Sequence, residues 1–526
     1  MWTRNSVAFV ERSCTRPGYS FYHDLIPAYW SSSRREGETG PLRWICTLAR
    51  KMGVRSLTIE DARAWPEVNA ELDALEAASP GVQGCASAVA ITFLSRRYMR
   101  NAPVPGTKDV IGQAVVLTYP RPDGPYSYVF EANFRIPARN RDTGPLMNNY
   151  VPMAREVEVR IRDRQHSFAG IYFCEQNGLT TLCAHSALRT IAHAVGKGRL
   201  STAEVQRLLG TTTGDGGVMA SHLRKAIEGF GPKARLYTFG STDAQGTGDE
   251  APDTPWGVLT SAIEAGHPAL LIVKSDGPVD HVMPVLGYTL NTDEWHPHAA
   301  DLYREAPEPF LSSSHWVDHL IINDDLAGPY YCLAQAWASA SQGAAPLAVI
   351  TVIPEEADVT PALAEPTAHL ALTGSLLPEI DAVLPSRARW WRYLVDRLSE
   401  DGYRPVLRTT LAARADYLAH LVETAARMRR TLDPDIVEEL AHALPPTFWL
   451  CEVSLPNLYV GNRAKLGEII VRPSPRLRPD ESALELVVGF RLPTVVGWRV
   501  GDDLLVRPCA LDDHARLIGS PGSQEW

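Results

Sequence analysis

Between residues 166 and 352 the helical patterns come first and the strand patterns afterwards, and that order limits the fold more than any other feature of the chain. A strand-like run ends at "GIYFC" (170–174), and the loop "EQNGLTTL" follows. A helical pattern then covers "CAHSALRTIAHAV" (183–195), with Ala184, Ala187, Leu188, Ile191, Ala192 and Val195 on one face. Further helical stretches lead to "ALLIVK" (269–274), "HVMPVLGYTL" (281–290) and "HLIINDDLAGPYY" (319–331), strands rich in Val, Ile and Leu. Segregation of this kind argues for an α+β fold and against a doubly wound α/β sheet.

At 526 residues the chain is too long for one core, and a length prior suggests about three domains of roughly 100–200 residues. Residues 1–165 read as an α+β region of unknown role. Its helix-like segments lie around 58–78 and 84–99, and its strands at 114–120, 127–137 and 155–164. Residues 353–378 are rich in Pro, Ala and Glu and read as a linker. Beyond it, 379–526 form a second flanking α+β region of unknown role. Its helical patterns cover 387–399, 408–430 and 434–443, and its strands 447–455, 466–473, 483–492 and 502–508.

Composition removes several classes of function. Hydrophobic residues at 45% and charged residues at 21% belong to a globular protein. The formal charge of −10 comes from interspersed acids and bases, so no basic stripe exists to meet a phosphate backbone, and nucleic acid is not an expected partner. The cluster "RARWWRYLVDR" (387–397) has helical spacing and reads as a helix face rather than a base-stacking platform. Apolar runs such as "PALLIVK" are far too short to span a bilayer, so no membrane partner is expected either. The eight cysteines are scattered without the spacing of a disulfide framework and read as reduced thiols, and a cytoplasmic location is expected.

One of those cysteines stands where chemistry is favoured. Cys183 opens a helix, where unsatisfied N–H groups and the positive end of the macrodipole favour a thiolate, whereas Cys174 ends a strand and has no such help. Seven residues earlier, Gln176 can offer its amide beside the Cys183 N–H as a second oxyanion donor, with Asn177-Gly178 supplying the turn back to the helix. His281 leads a hydrophobic strand, which holds an imidazole rigidly, as a general base requires. Pro284 removes a ladder donor from that strand, which should therefore be an edge or locally irregular. Asn323, Asp324 and Asp325 end the next apolar run, and any of them can accept the second imidazole N–H. Strand alternation puts Asp324 and Asp325 on opposite faces. His185 and His193 read as helix-face residues with no assigned chemistry.

The segments "QNGLTTLCAHSAL", "HVMPVLGY" and "IINDDLAGPY" together resemble the papain-like cysteine peptidases, especially the bacterial branch of bacteriocin-processing leader peptidases. The resemblance covers the middle region only. It implies a helix bearing the cysteine packed on an antiparallel sheet, a thiolate–imidazolium pair of Cys183 and His281, and Gln176 in the oxyanion hole. It also implies Asp324 or Asp325 as the residue that orients His281.

The expected activity is therefore hydrolysis of an amide bond in a protein or peptide by a Cys-His-Asp triad. The alternatives are acyl transfer to an amine, as in transglutaminase-like enzymes, and a non-catalytic papain-like binding module. No cofactor is expected, and the oligomeric state is not legible. The insert between 291 and 319 carries His296, His298, His315 and His319, and the last two are four apart. A helix would bring that pair to one metal, but the glutamate of a zinc protease is absent, so no metal is expected. A lid presenting Trp295 and Trp316 to substrate is the preferred reading of the insert.

Overall fold

The protein is described by a computed structural model covering residues 8–11, 40–98, 104–136 (except 123), 148–162, 164–180, 182–210, 218–239, 249–250, 254–274, 280–290, 309–317, 319–335, 345–353, 361–383, 396, 404–456, 458–459, 464–473, 483–501, 503–509 and 515–516. It is mixed α+β with largely antiparallel sheets. By packing it divides into two units, one of residues 1–251, 267–289 and 319–352, the other of 252–266, 290–318 and 353–526. These units do not follow the three expected parts, and residue 165 falls inside a strand of the first unit. Among the described residues no helix is long and apolar enough to cross a membrane.

The first sheet of unit 1 uses β1 (Ala8–Glu11), β2 (Ser56–Asp61), β3 (Ser87–Leu94), β4 (Val110–Arg121), β5 (Gly124–Arg135), β7 (Arg155–Ile161) and β8 (Arg164–Phe173), in the order β1-β2-β3-β4-β5-β8-β7. Two expected helices in this region are corrected. The segment 58–78 splits into the end of β2 and helix α1 (Pro66–Ala78), because Pro66 has no N–H and fits only the first helical turn. Half of 84–99 is β3, whose short apolar run fits either period until β2 and β4 pair on its two sides. Val68, Leu72 and Leu75 of α1 are buried against Ala88, Ala90, Val115, Leu117, Tyr128 and Phe130 of the sheet.

The second sheet of unit 1 contains β9 (Lys233–Thr238), β10 (Asp249–Glu250), β11 (Ala269–Val273), β12 (His281–Leu290), β14 (His319–Asp324), β15 (Gly328–Ala334) and β16 (Pro346–Ile353), ordered β10-β9-β16-β11-β12-β14-β15. A short strand, β6 (Asn148–Tyr150), also pairs with β12. Helices α2 (Cys183–Ala194), α3 (Thr202–Leu209) and α4 (Ala220–Glu228) bury Ala187, Leu188, Ile191, Val205, Leu223 and Ile227 against Leu270, Ile272, Val282 and Ile350 of this sheet. β12 is an interior strand, so Pro284 does not mark an edge. The irregularity it requires is a register shift between Val285 and Gly287 on the β14 side.

Unit 2 is built on β13 (Leu311–Ser312), β17 (Val406–Ala413), β18 (Thr447–Ser454), β20 (Gly467–Val471), β21 (Val487–Leu492), β22 (Val495–Val500) and β23 (Asp503–Pro508), hydrogen-bonded in that order, with β19 (Ala464–Lys465) pairing β24 (Ala515–Arg516) separately. Helix α5 (Pro255–Glu264) belongs to this unit. The expected linker is in large part helical. In α6 (Pro361–Leu370), a π turn and α7 (Leu376–Val383), Ala364, Ala368, Leu372, Leu376 and Ile380 recur every fourth position and are buried in the core on one sheet face. Helices α8 (Arg414–Arg427) and α9 (Pro434–Ala443) cover the other face through Tyr417, Leu421, Ile436 and Leu440. The first six residues of the expected helix 408–430 are strand β17, where Arg408–Ala413 pair with Thr447–Glu452. The Arg-Trp segment 387–397 lies outside the described residues, apart from Asp396.

Candidate functional site

The nucleophile candidate begins a helix whose start is fixed locally. Leu182 is extended (φ −111°, ψ 173°), and its N–H donates to Nδ1 of His185 at 3.1 Å, so a histidine at the third helical position reaches back as a capping-box acceptor. Burial, with Arg189 nearby, pushes the His185 pKa down to about 4, which keeps Nδ1 an acceptor. His185 is therefore the cap of the cysteine helix, and the signal for it was its place three residues after Leu182.

The loop entering that helix is held more firmly still. Asn177 is fully buried; its Nδ2 donates to Glu71 Oε1 at 2.8 Å and to Thr180 Oγ1 at 2.6 Å. Its Oδ1 accepts the N–H groups of Leu179 (3.0 Å) and Thr180 (2.8 Å), an Asx turn. Gly178 has φ +71°, and a Cβ there would lie 2.1 Å from an Arg121 nitrogen, so the Asn-Gly turn has no room for a side chain.

Glu71, on α1, is 2% exposed and collects four donors. They are Asn177 Nδ2, Tyr128 Oη at 3.0 Å, Thr202 Oγ1 at 2.6 Å and Arg189 of the cysteine helix at 3.1 Å. Burial alone would raise its pKa, but Arg189 and these hydrogen bonds outweigh burial and hold the carboxyl below the usual range. Sequence reading missed this node because its members are up to 131 positions apart.

His281, the first residue of β12, is half-buried, and its Nε2 lies 3.1 Å from Asp324 Oδ1 and 3.7 Å from Asp325 Oδ1. The carboxylates occupy Nε2, so Nδ1 is the nitrogen left to exchange a proton with Cys183. The Cys183 sulfur is partly buried, 4.0 Å from the Asp280 carbonyl oxygen. Burial disfavours the imidazolium, but the hydrogen bonds to Asp324 and to the Cys183 sulfur and the charges of Asp325 and Asp324 prevail, and the His281 pKa rises to about 10.

Both aspartates face the same imidazole nitrogen, which corrects the alternation argument. β14 ends at Asp324 and Asp325 lies in the following turn, where the two-residue period no longer applies. Asp324 also accepts the Leu326 N–H at 2.9 Å; burial works against it, but His281 and the backbone donors hold its pKa below the usual value. Asn323 is turned elsewhere, its Nδ2 donating to the Tyr172 carbonyl at 2.8 Å, which ties β14 to β8.

A shallow crevice too narrow to admit a water molecule lies beside the thiol, lined by Cys174, Cys183, Ser186, Thr190, Asn323 and Asp325 among others. Asp325 is 4% exposed, and neither of its oxygens accepts a hydrogen bond from any other described residue. Burial raises its pKa to about 7. Cys174 is buried with Sγ 3.7 Å from the Ser186 carbonyl, and burial pushes its thiol up to about 11. Gln176 is half-buried on the loop between β8 and α2 and is not among the residues lining the crevice. Cys183, His281, Asp324 and Asp325 are thus brought together, and Asn323, though it lines the crevice, bonds to the Tyr172 carbonyl and not to His281.

The residues of the insert divide differently. Trp295, His296 and His298 lie outside the described residues. His315 sits in a 3₁₀ turn, Ser313–Trp316, its Nδ1 2.9 Å from the Ser312 oxygen, and His319 begins β14, so the two do not share a helix face. The described ligand types that do converge are His281, Asp324 and Asp325, whose ligating atoms lie within 4.8 Å of one another. No family model, curated protein or solved structure matches this chain.

Proposed function

We propose that the protein is a papain-like cysteine hydrolase that cleaves an amide bond in a peptide or protein. One observation carries the reading. A cysteine at a helix N-terminus meets a histidine at a strand start, and that histidine's far nitrogen is held by a carboxylate. In the proposed cycle Cys183 passes its proton to Nδ1 of His281, and the thiolate attacks the carbonyl carbon. The Cys183 N–H and the Gln176 amide receive the oxyanion. His281 returns the proton to the departing amine, and water, deprotonated by the same imidazole, releases the acid and restores the thiol. Asp324 keeps the ring oriented throughout.

Iodoacetamide labelling at neutral pH, read at Cys183 by mass spectrometry against glutathione, tests the dyad. Cys183 is expected to react faster than glutathione, and His281→Ala to remove that advantage, while Cys174→Ala changes nothing. A Cys183 no faster than glutathione, or indifferent to His281, overturns the reading. Gln176→Ala should leave alkylation unchanged, since alkylation forms no oxyanion, yet slow acylation by p-nitrophenyl acetate about 100-fold. Equal acylation rates would remove Gln176 from the site.

A further inference from the structure

We propose that His281, Asp324 and Asp325 form a binding site for a divalent first-row cation such as Zn²⁺, whose occupancy withdraws His281 from proton exchange with Cys183. The binding claim stands on the geometry alone; the consequence for Cys183 rests on the hydrolase reading above.

Three observations converge on it. The ligand types suit the ion: an imidazole nitrogen with two carboxylate oxygens is a set that zinc accepts, with the fourth position left to water. The spacing suits it too. Bonds of about 2.0–2.1 Å in a tetrahedral site place ligand atoms about 3.3 Å apart, and Nε2 lies 3.1 and 3.7 Å from the two Oδ1 atoms. Finally, Asp325 points into this group while 4% exposed and accepting no hydrogen bond at either oxygen from any other described residue. A buried carboxylate without a donor is costly, and a cation at Nε2 would complete it.

The consequence follows from the two ring nitrogens. A neutral imidazole bound through Nε2 carries its one N–H on Nδ1. Nδ1 is then already protonated and cannot take the Cys183 proton. The metal-bound state is a resting state of the thiol, reversed when a chelator removes the ion.

The test uses the full chain carrying Cys183→Ala, so that no thiolate at the site competes for metal, stripped by chelator and titrated with Co²⁺. The site predicts visible d–d absorption that saturates at one equivalent, without a sulfur-to-cobalt charge-transfer band. Adding Asp325→Asn, or separately Asp324→Asn, should weaken Co²⁺ at least about 10-fold, the least that even an outer partner of a ligand is worth. Glu438→Gln, an exposed acid in unit 2, should leave it unchanged. Unaltered binding in both aspartate variants, or no saturable band at all, overturns the site. In the wild type, Zn²⁺ should slow Cys183 alkylation and EDTA should restore it; an unchanged rate with the site filled overturns the withdrawal of His281. A slow Cys183 in metal-free protein instead removes the hydrolase reading and leaves the cobalt result standing.

Discussion

The two packing units each contain a cluster of charges, and the clusters differ in how completely they are paired. In unit 2, Arg408, Glu452, Glu468 and Arg491 stand opposite one another on β17, β18, β20 and β21, a ladder of charge across a buried sheet. Lys465 lies 2.5 Å from Glu452 and 2.6 Å from Glu468, Arg491 lies 2.8 Å from Glu468, and Glu264 from α5 closes on Arg408. Three cations face three carboxylates. Arg491, bound through Nε, leaves its terminal nitrogens without a described partner, but every carboxylate has a cation. In unit 1, two carboxylates share one histidine, and Asp325 accepts no hydrogen bond from any other described residue. Burial of charge is common to both clusters. A carboxylate with no close cation, next to a thiol, sets the second apart and supports the proposed chemistry there.

The comparison is broken most directly at Lys465. Lys465→Met leaves Glu452 and Glu468 directly opposed on neighbouring strands with no cation between them. Breaking a buried pair in this way costs about 3–5 kcal/mol, which urea unfolding followed in unit 2 should read directly. A loss under about 1 kcal/mol, the worth of a surface pair, would mean the ladder is not held by its charges. Somewhat smaller, about 3 kcal/mol, is the expected cost of Glu71→Gln, which keeps the shape but strands Arg189 without its counter-charge. That variant should also slow p-nitrophenyl acetate acylation, because Asn177 and the cysteine helix both hang on the same carboxylate.

Acid sharpens the same point. Glu71 has a folded pKa below its usual 4.5, so its contribution is complete above that value and is lost as pH falls through the lower folded pKa. The stability gap between wild type and Glu71→Gln should therefore narrow as pH falls below about 4.5. A gap that stays constant would show that the carboxylate does not act through its charge. Glu468, also held well below the usual range by Arg491 and Lys465 against its burial, should make unit 2 acid-labile with the same sign.

The parts of the chain that were legible in sequence are those in which local pattern and tertiary role agree. Cys183 starts a helix, His281 starts a strand and Asp324 ends one, and each position follows from short-range periodicity. What stayed hidden was decided by pairing at a distance. β3 is strand because β2 and β4 flank it, not because its own residues exclude a helix. The every-fourth-residue stripe from Ala364 to Ile380 was masked by a Pro- and Glu-rich composition that suggests a linker. Asp324 and Asp325 both reach His281, where alternation puts them on opposite faces, because the strand stops at Asp324 and the two-residue period does not extend to Asp325. The charge ladder leaves no local signature, since each member is a single polar residue in a different strand.

The smallest expected effect has the opposite sign and divides the two clusters most sharply. Asp325→Asn in metal-free protein removes a buried charge that accepts no hydrogen bond from any other described residue, and an amide is cheaper to bury than a carboxylate. Stability at neutral pH should rise by about 1 kcal/mol, whereas charge deletion in the ladder lowers it. Thermal unfolding with EDTA present reads the difference. Destabilisation would mean that Asp325 is paired in solution, and the distinction between carboxylates that each hold a close cation and one that does not would then fail at the residue on which it depends. A gain in stability, together with weaker Co²⁺ binding in the same variant, would identify Asp325 as a residue kept for what it binds rather than for what it holds together.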